Sequence, residues 1–152
     1  MNLKKIKYID DFRRLPYPKN EMLIVGSSVM ALLGLRENKD IDIWASDKII
    51  NIVSKDKNYI HKISKTDGFP VYERTDGKIE FMTTLPPLKD KLNDQLKRSI
   101  IIYGIHFQNP KDVLRWKKLI KRPKDIPDIE LLEKYLKEKV VESYLKSLQN
   151  IR

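Results

Sequence analysis

The chain of 152 residues lacks cysteine, so it can form neither disulfide bonds nor thiolate metal sites. It also lacks any run of the roughly 18 apolar residues that a membrane-spanning helix needs. Its basic first residues are not followed by the apolar stretch of a signal peptide. The two histidines, His61 and His106, are isolated, and no Ser-His-Asp arrangement can be recognised. These absences predict a cytoplasmic protein that does not associate with a membrane.

Acidic residues are in the minority, because 21 Asp and Glu stand against 31 Lys and Arg and give a formal net charge of +10. Such an excess attracts polyanions such as nucleic acid or nucleotides, although it can also serve solubility alone. The hydrophobic share of 41% and the length fit one folded domain with a single core. We expect one domain over residues 1–152, with its core at about 20–108 and a helical C-terminal segment at about 109–150.

Segments with helical and with strand-like patterns follow one another along the chain. Apolar spacing, caps and prolines predict helices at 3–15, 27–35, 46–55, 109–120 and, as one helix or two in series, from 128 onward. The expected N-caps are Ser27 or Ser28, Ser46 and Asn109. Apolar or alternating runs predict strands at 21–25, 40–45, 71–74, 78–82 and 99–107, with a hairpin turn at Asp76 and Gly77. This order predicts an α+β domain with a mixed central sheet flanked by helices.

Two aspartates in one predicted strand carry the chemical signal. Residues two apart on a strand point to the same face, so Asp40 and Asp42 should lie side by side while Ile41 and Ile43 pack on the other face. Adjacent carboxylates repel, and a divalent cation such as Mg²⁺ or Mn²⁺ resolves the repulsion because it prefers oxygen ligands. Glu80, between two apolar residues of a later strand, is the candidate third ligand. The alternative is an exposed pair of acids without function.

A turn of small residues precedes these acids. Gly26, Ser27 and Ser28 follow a predicted buried strand and open a predicted helix, so their backbone N–H groups could approach phosphate oxygens. A phosphate-binding turn beside three carboxylates is the layout of metal-assisted phosphoryl or nucleotidyl transfer.

This arrangement resembles the DNA polymerase beta-type nucleotidyltransferase superfamily. The family pattern is an apolar residue, Gly, then Gly or Ser, a spacer, acid–apolar–acid, and a third acid on a later strand. The matching positions here are Val25, Gly26 and Ser27, a spacer of 12 residues, Asp40 to Asp42, and Ile79 to Phe81 around Glu80. Two positions depart from the pattern: Asn38 stands where relatives often have Thr or Ser, and Glu80 where Asp is commoner.

Two further segments are similar to small bacterial and phage members, including toxin-type enzymes. Residues 34–44 contain the Gly-x-Arg that precedes the acids, with Arg36 as the arginine. Residues 109–136 resemble a C-terminal segment with one Lys on a helix, then Arg-x-Lys-Asp, then an Asp that opens the last helix. These positions are Lys117, Arg122, Lys124, Asp125 and Asp128. The resemblance covers about residues 20–140 and implies a central sheet of the nucleotidyltransferase type.

The resemblance also implies roles for individual residues. Asp40, Asp42 and Glu80 would bind two Mg²⁺ ions, and Glu80 would also assist the acceptor hydroxyl. The nucleotide would be bound by Gly26, Ser27, Ser28, Arg36 and Lys117. The implied reaction moves an NMP from an NTP to a hydroxyl and releases pyrophosphate. The alternatives are a catalytically silent nucleotide- or RNA-binding domain and a toxin–antitoxin interaction partner that pairs with a small helical protein.

A basic cluster indicates the acceptor. Between 111 and 124 the sequence has seven basic residues and one acid. The positive charge favours RNA over a small cationic acceptor, contacted by Lys118, Lys121, Arg122 and Lys124. A protein acceptor and a merely solvated helix face are the alternatives. Trp44 and Trp116 are expected in the core, although either could stack on a base.

Overall fold

A computed structural model describes residues 1–65 and 68–151. The strands are β1 (Met22–Val25), β2 (Ile41–Ala45), β3 (Tyr59–Ile63), β4 (Pro70–Arg74), β5 (Ile79–Met82), β6 (Ile100–Ile102) and β7 (Ile105–Phe107). The α-helices are α1 (Ile9–Arg13), α2 (Ser27–Leu32), α3 (Asp47–Val53), α4 (Leu92–Arg98), α5 (Pro110–Ile120) and α6 (Ile126–Gln149). Short 3-10 turns lie at Leu3–Lys5, Lys19–Glu21 and Pro123–Asp125.

One seven-stranded sheet organises the chain, in the order β3-β4-β5-β2-β1-β7-β6. The pairs β2–β5 and β1–β7 are parallel and the remaining pairs are antiparallel. Helices flank this mixed sheet, and α6 forms the C-terminal end. The predicted α+β class, with a mixed sheet and a helical C-terminal segment, is therefore confirmed.

The two faces of the sheet are covered unequally. Ile41 and Ile43 point into the main core, which α1, α2 and α3 cover and which contains the fully buried Phe12, Phe81 and Phe107. On the other face, a smaller apolar cluster around Trp44 and Leu85 lies under α4 and α5. Because this second cluster covers only part of its face, the neighbouring part can form a polar site.

The structure corrects two predicted elements and adds a strand that was not predicted. The helix expected at 3–15 is interrupted, because Tyr8 adopts a left-handed φ of 68° between the first 3-10 turn and α1. The strand expected at 99–107 is a hairpin, because Tyr103 and Gly104 both have positive φ and form a tight turn. Strand β3 was not expected: it lies at the edge of the sheet, and residues 60–63 are exposed.

Two predicted helix starts are confirmed and one is wrong. Ser46 accepts a hydrogen bond from the N–H of Ile49, and the Asn109 side chain accepts one from the N–H of Lys111. The N-cap of α2 is Gly26 and not Ser27 or Ser28, and no side chain caps that helix.

The last helix is continuous for 24 residues. Its first half packs on the domain through the buried Leu132, whereas every residue from 137 to 149 is exposed. Within residues 1–65 and 68–151, none of the helices has the length and the apolar character that spanning a membrane would require.

Candidate metal and nucleotide site

Three carboxylates meet on the sheet face opposite the main core. Asp42 of β2 and Glu80 of β5 are direct neighbours in the parallel register of these strands. Asp40 lies two positions before Asp42 and therefore points to the same face. One carboxylate oxygen from each of the three lies within 4.8 Å of those of the other two. The structure thus brings together the acids that the sequence singled out.

The electrostatics of this cluster favour a bound cation. Burial raises the pKa of Asp42 well above its usual range, and the nearby carboxylates of Asp40 and Glu80 raise it further. Burial also raises the pKa of Asp40, against the opposing charge of Lys39. A divalent cation bound by carboxylate oxygens would relieve both effects, so the cluster could hold a metal ion.

Two buried side chains fix the backbone of Asp40. The Ser28 hydroxyl and the Asn38 amide Nδ2 both donate to the Asp40 carbonyl oxygen, at 3.1 and 3.0 Å. Asn38 also accepts from the N–H of Lys7 at 2.9 Å and donates to its carbonyl at 3.1 Å. Ser28 is fully buried. The Ser28 hydroxyl is therefore engaged in supporting Asp40, and the expectation that Ser28 contacts a triphosphate stays a prediction for its backbone N–H.

The turn at Gly26 brings bare backbone close to the acids. Gly26 has a φ of 69° and a ψ of −132°, a conformation that favours glycine. A Cβ at this position would lie 3.8 Å from Oδ2 of Asp42, which is ordinary contact, so the backbone angle and not space selects glycine. The Gly26 N–H donates to Oε1 of the buried Gln108 at 3.4 Å. Gly26 and Ser27 line the same cavity as the acids.

The carboxylates open into a cavity of about 440 Å³. Charged side chains dominate one part of its lining, with acids and bases in equal number. The acids are Asp40, Asp42, Glu80, Asp125 and Asp128, and the bases are Arg36, Lys39, Lys117, Arg122 and Lys124. This part of the lining is formally neutral, so repulsion of a polyanion would come from the local cluster of Asp40, Asp42 and Glu80, which a bound cation would offset.

Two aspartates hold three of the five bases in a continuous chain of ion pairs. Arg36 donates to both oxygens of Asp128, from Nε at 2.6 Å and from Nη2 at 2.8 Å. Lys117 Nζ lies 3.0 Å from Asp128 and 3.2 Å from Asp125. Arg122 Nε donates to Asp125 at 2.7 Å. Arg36 and Lys117, expected at the nucleotide, thus reach the cavity but are already paired with aspartates.

The basic residues of α5 and the following turn do not form one surface. Arg122 and Lys124 line the cavity, whereas Lys118 is exposed and forms an ion pair with Glu133 at 2.7 Å. Lys121 is also exposed and ends α5 with a left-handed φ of 52°. Of the four residues expected to contact nucleic acid, Arg122 and Lys124 therefore lie at the cavity, and Lys118 and Lys121 lie on the surface at the C-terminal end of α5.

Both tryptophans are packed. Trp44 is only 3% exposed, and its Nε1 donates to the Thr83 carbonyl at 2.9 Å. Trp116 donates from Nε1 to the Pro86 carbonyl at 2.9 Å, and the Arg122 guanidinium lies 5.1 Å from its ring centre. The expected core role is confirmed for Trp44, whereas Trp116 is half-buried against the smaller apolar cluster and lines the cavity.

Sequence reasoning missed two supporting residues. Asn38 was noted only as a departure from a family pattern, yet it fixes Asp40. Gln108 was not singled out, although it supports Gly26 and in turn donates from Nε2 to Oε1 of Gln95 at 3.3 Å. Asn38 lies two residues before Asp40, and Gln108 directly follows the apolar strand β7. A polar residue in such a position is the sequence signal that could have identified both.

Comparisons of the chain with protein-family models, curated proteins and solved structures find no match. The resemblance to the nucleotidyltransferase superfamily is therefore limited to short sequence motifs. The residues and geometry of the site have to support any function by themselves.

Proposed function

We propose that this protein is a metal-dependent nucleotidyltransferase, which moves a nucleoside monophosphate from an NTP to a hydroxyl acceptor and releases pyrophosphate. The observation that carries the proposal is the convergence of Asp40, Asp42 and Glu80 within 4.8 Å, beside the turn at Gly26. Clustered carboxylates of this kind are the usual ligands of paired metal ions in phosphoryl and nucleotidyl transfer.

The side chains fit Mg²⁺ or Mn²⁺. All three ligands are carboxylates, which these hard cations prefer, and cysteine is absent from the chain. The raised pKa of Asp42 reflects burial and repulsion between the acids, and a bound cation would remove that cost. Bound metal ions would supply charge stabilisation for the entering and leaving oxygens.

The protein's own residues would divide the remaining work. The backbone at Gly26 and Ser27, with the exposed Lys39 and Lys124, would orient the triphosphate over the acids. The acceptor oxygen would form a bond to the α-phosphorus while the bond to the pyrophosphate oxygen breaks. The hydroxyl proton would pass to a carboxylate oxygen, for which Glu80 is our candidate, and then to water.

RNA is the acceptor class that the charge favours. The net charge is +10, and Lys121 and Lys124 expose ammonium groups near the end of α5. A polyanion is drawn to such a surface, whereas a small cationic acceptor is repelled. A protein acceptor, or a small helical protein bound as a partner, is the competing possibility.

One observation favours a catalytically silent nucleotide- or RNA-binding domain instead. The Lys117 side chain is 4% exposed and sits between two aspartates, where its charge is already compensated. If this lysine cannot leave its partners, one predicted phosphate contact is lost. Without this contact to position the triphosphate for transfer, a bound nucleotide would react slowly or not at all.

Label transfer tests the proposal against this alternative. The protein would be incubated with each labelled NTP, Mg²⁺ and total host RNA or protein, and the products separated on a gel. We expect Mg²⁺-dependent labelling of RNA that Asp42→Asn abolishes and that the exposed control Glu138→Gln retains. NTP binding without labelling would support the silent domain, and neither binding nor labelling would contradict both.

A further inference from the structure

A series of side-chain hydrogen bonds leads from the turn at Gly26 to the segment that precedes α4. Oε1 of Gln108 accepts from the Gly26 N–H at 3.4 Å, and Nε2 of Gln108 donates to Oε1 of Gln95 at 3.3 Å. Nε2 of Gln95 in turn donates to Oδ2 of Asp90 at 3.2 Å. We call Gln108, Gln95 and Asp90 the amide relay. The relay connects the candidate site to residues that lie outside the cavity lining.

The two glutamines of the amide relay are buried. Gln95 is 0% exposed and Gln108 is 1% exposed, so both amide groups depend on partners within the protein. The backbone also holds Gln108 in place, because its N–H donates to the Ile24 carbonyl at 2.8 Å beside the end of β1. Gln95 is fixed within α4. The relay is therefore built from positions that the fold determines.

The charge of Asp90 determines the direction of both amides. An ionised carboxylate can only accept hydrogen bonds, so the nitrogen of Gln95 has to face Asp90 and its oxygen has to face Gln108. The nitrogen of Gln108 then faces Gln95, and its oxygen faces the Gly26 N–H. Two arginines donate to the same carboxylate, each at 2.6 Å, and thereby hold it in place.

The backbone at Gly26 needs such support because its conformation is unusual. Its φ of 69° and ψ of −132° lie outside the helix and strand regions, and no side chain caps α2, which begins at the next residue. If the Gln108 amide were flipped, its nitrogen would meet the Gly26 N–H, donor against donor, and the turn would have to move. The relay thus selects one position for the backbone beside the acids.

We infer that Gln108 is a positioning residue for the triphosphate, and that Asp90 acts through Gln95 to set the direction of its amide. The inference rests on the proposed function, in which the backbone at Gly26 and Ser27 orients the triphosphate over the acids. It adds that residues outside the cavity determine how well this backbone fits the phosphate oxygens.

Two measurements test the inference, and one of them needs no ligand. The amide proton resonance of Gly26 in an NMR spectrum reports its hydrogen bond to Gln108, and calorimetric titration measures binding of inorganic tripolyphosphate with Mg²⁺. Gln108→Met keeps the approximate length of the side chain but has no amide. We therefore expect the Gly26 resonance to move upfield and tripolyphosphate binding to weaken about 10-fold. Thermal stabilisation by Mg²⁺ alone should not change, because the three acids remain.

Asp90→Asn tests whether Asp90 acts through Gln108. A neutral amide can donate as well as accept, so both glutamine amides would lose their fixed direction. We expect the Gly26 resonance to move and tripolyphosphate binding to weaken about 3-fold, less than in Gln108→Met. The double variant Gln108→Met/Asp90→Asn should bind tripolyphosphate no more weakly than Gln108→Met, because the two residues act in series.

The matched control is Val53→Ala, which truncates a fully buried residue of α3. It should lower the melting temperature, as any cavity in the core does, without involving the amide relay. Neither the Gly26 resonance nor the affinity for tripolyphosphate should change. This control separates the positioning role from a general loss of stability.

Several results would overturn the inference. An unmoved Gly26 resonance in Gln108→Met would overturn the relay, and unchanged tripolyphosphate affinity would overturn its positioning role. Loss of the response to Mg²⁺ alone would show a general disturbance of the site and overturn it too. Losses that add in the double variant would overturn the role of Asp90. If Gln108→Met does not fold, Asp90→Asn applies the same two measurements at a half-buried position.

Failure of the proposed function gives a different result. Wild-type protein that binds no tripolyphosphate with Mg²⁺ would contradict the proposed function and remove the positioning role with it. The Gly26 resonance does not depend on that result, so it would still show whether the hydrogen bonds of the amide relay are present.

Discussion

Lys117 Nζ lies 3.0 Å from a carboxylate oxygen of Asp128, and both side chains are 4% exposed. Lys118, the next residue on α5, also forms an ion pair, but its side chain and that of Glu133 are 53% and 50% exposed. Two adjacent lysines therefore make the same type of contact in opposite solvent environments. The first joins α5 to the start of α6 at the lining of the cavity, and the second lies on the surface.

Removing the two charges should have very different effects on stability. Lys117→Met keeps most of the side-chain volume but leaves two buried carboxylates without one of their cations, which should cost about 3 kcal/mol. Lys118→Met should cost about 0.5 kcal/mol or less, because exposed pairs contribute little. Urea unfolding of both variants measures the difference. Equal small losses would mean that Lys117 is loosely held and able to turn to a phosphate.

Asp42→Asn should abolish the response to metal without unfolding the protein. The raised pKa of Asp42 means that its ionised form destabilises the metal-free fold at pH values above the unfolded pKa of about 3.9. A neutral amide removes that repulsion, so the melting temperature without metal should hold or rise slightly. Differential scanning fluorimetry with and without Mg²⁺ should show stabilisation of the wild type and none of the variant.

The control for this experiment is Glu138→Gln, which changes an exposed acid on the outer half of α6. It should respond to Mg²⁺ like the wild type. A large fall in the melting temperature of Asp42→Asn would mean that this carboxylate is a structural hydrogen-bonding group. Unchanged Mg²⁺ stabilisation would remove Asp42 from the set of metal ligands.

The parts of the fold that local patterns determine could be predicted from the sequence. Alternation at residues 40–45 placed Asp40 and Asp42 on one face, and the small-residue turn placed Gly26 near them. These features depend on strand geometry and on one backbone angle, so they can be predicted without knowledge of the tertiary packing. Strand β3 lacked such a signal, because an edge strand with residues 60–63 exposed has no buried face to impose a pattern.

The partners of the charged residues could not be predicted. Lys117, Arg36 and Asp128 come together only because α5 and α6 pack beside the loop before β2. Their sequence separations, 92 residues between Arg36 and Asp128, carry no pairing signal. Ser28 illustrates the same limit: a serine after glycine suggests a phosphate contact, but the fold directs its hydroxyl to the Asp40 carbonyl.

Asp90 should make the stability depend on acid pH. Arg115 and Arg98 each donate to its carboxylate at 2.6 Å, and these hydrogen bonds, Arg115 first, lower the pKa of Asp90 to about 2. A carboxyl whose pKa is lower in the folded state stabilises the fold above its unfolded pKa of about 3.9 and loses this contribution as the pH falls towards about 2. Both guanidinium groups are more than 40% exposed, so solvent screening limits the contribution to about 1 kcal/mol.

Urea unfolding of the wild type and Asp90→Asn at several pH values measures this contribution. The free-energy gap between them should be constant from neutral pH to about pH 5 and should shrink between about pH 4 and pH 2. Glu130→Gln, at an exposed position on α6, should show no such convergence. A free-energy gap that stays constant down to pH 2 would show that the contacts of the two arginines with residue 90 stabilise the fold independently of the ionisation of Asp90.

Charge removal at the outer end of α5 tests RNA as the acceptor. Lys118 and Lys121 are exposed and lie outside the cavity lining, so their loss should affect RNA and not the NTP. In Lys118→Gln/Lys121→Gln, RNA affinity should fall, and the slope of log affinity against log salt should decrease in magnitude by about 1 to 2. The reason is that the loss of two phosphate contacts reduces the number of counterions released on binding. The matched control is Lys55→Gln/Lys57→Gln, which removes two exposed lysines near the end of α3 and should change RNA affinity little. Titration of RNA at several salt concentrations, with NTP affinity measured in parallel, gives both quantities. If the wild-type affinity stays flat across a several-fold rise in salt, or if both double variants bind RNA equally well, α5 has only a solvated basic face and the acceptor has to be sought among proteins.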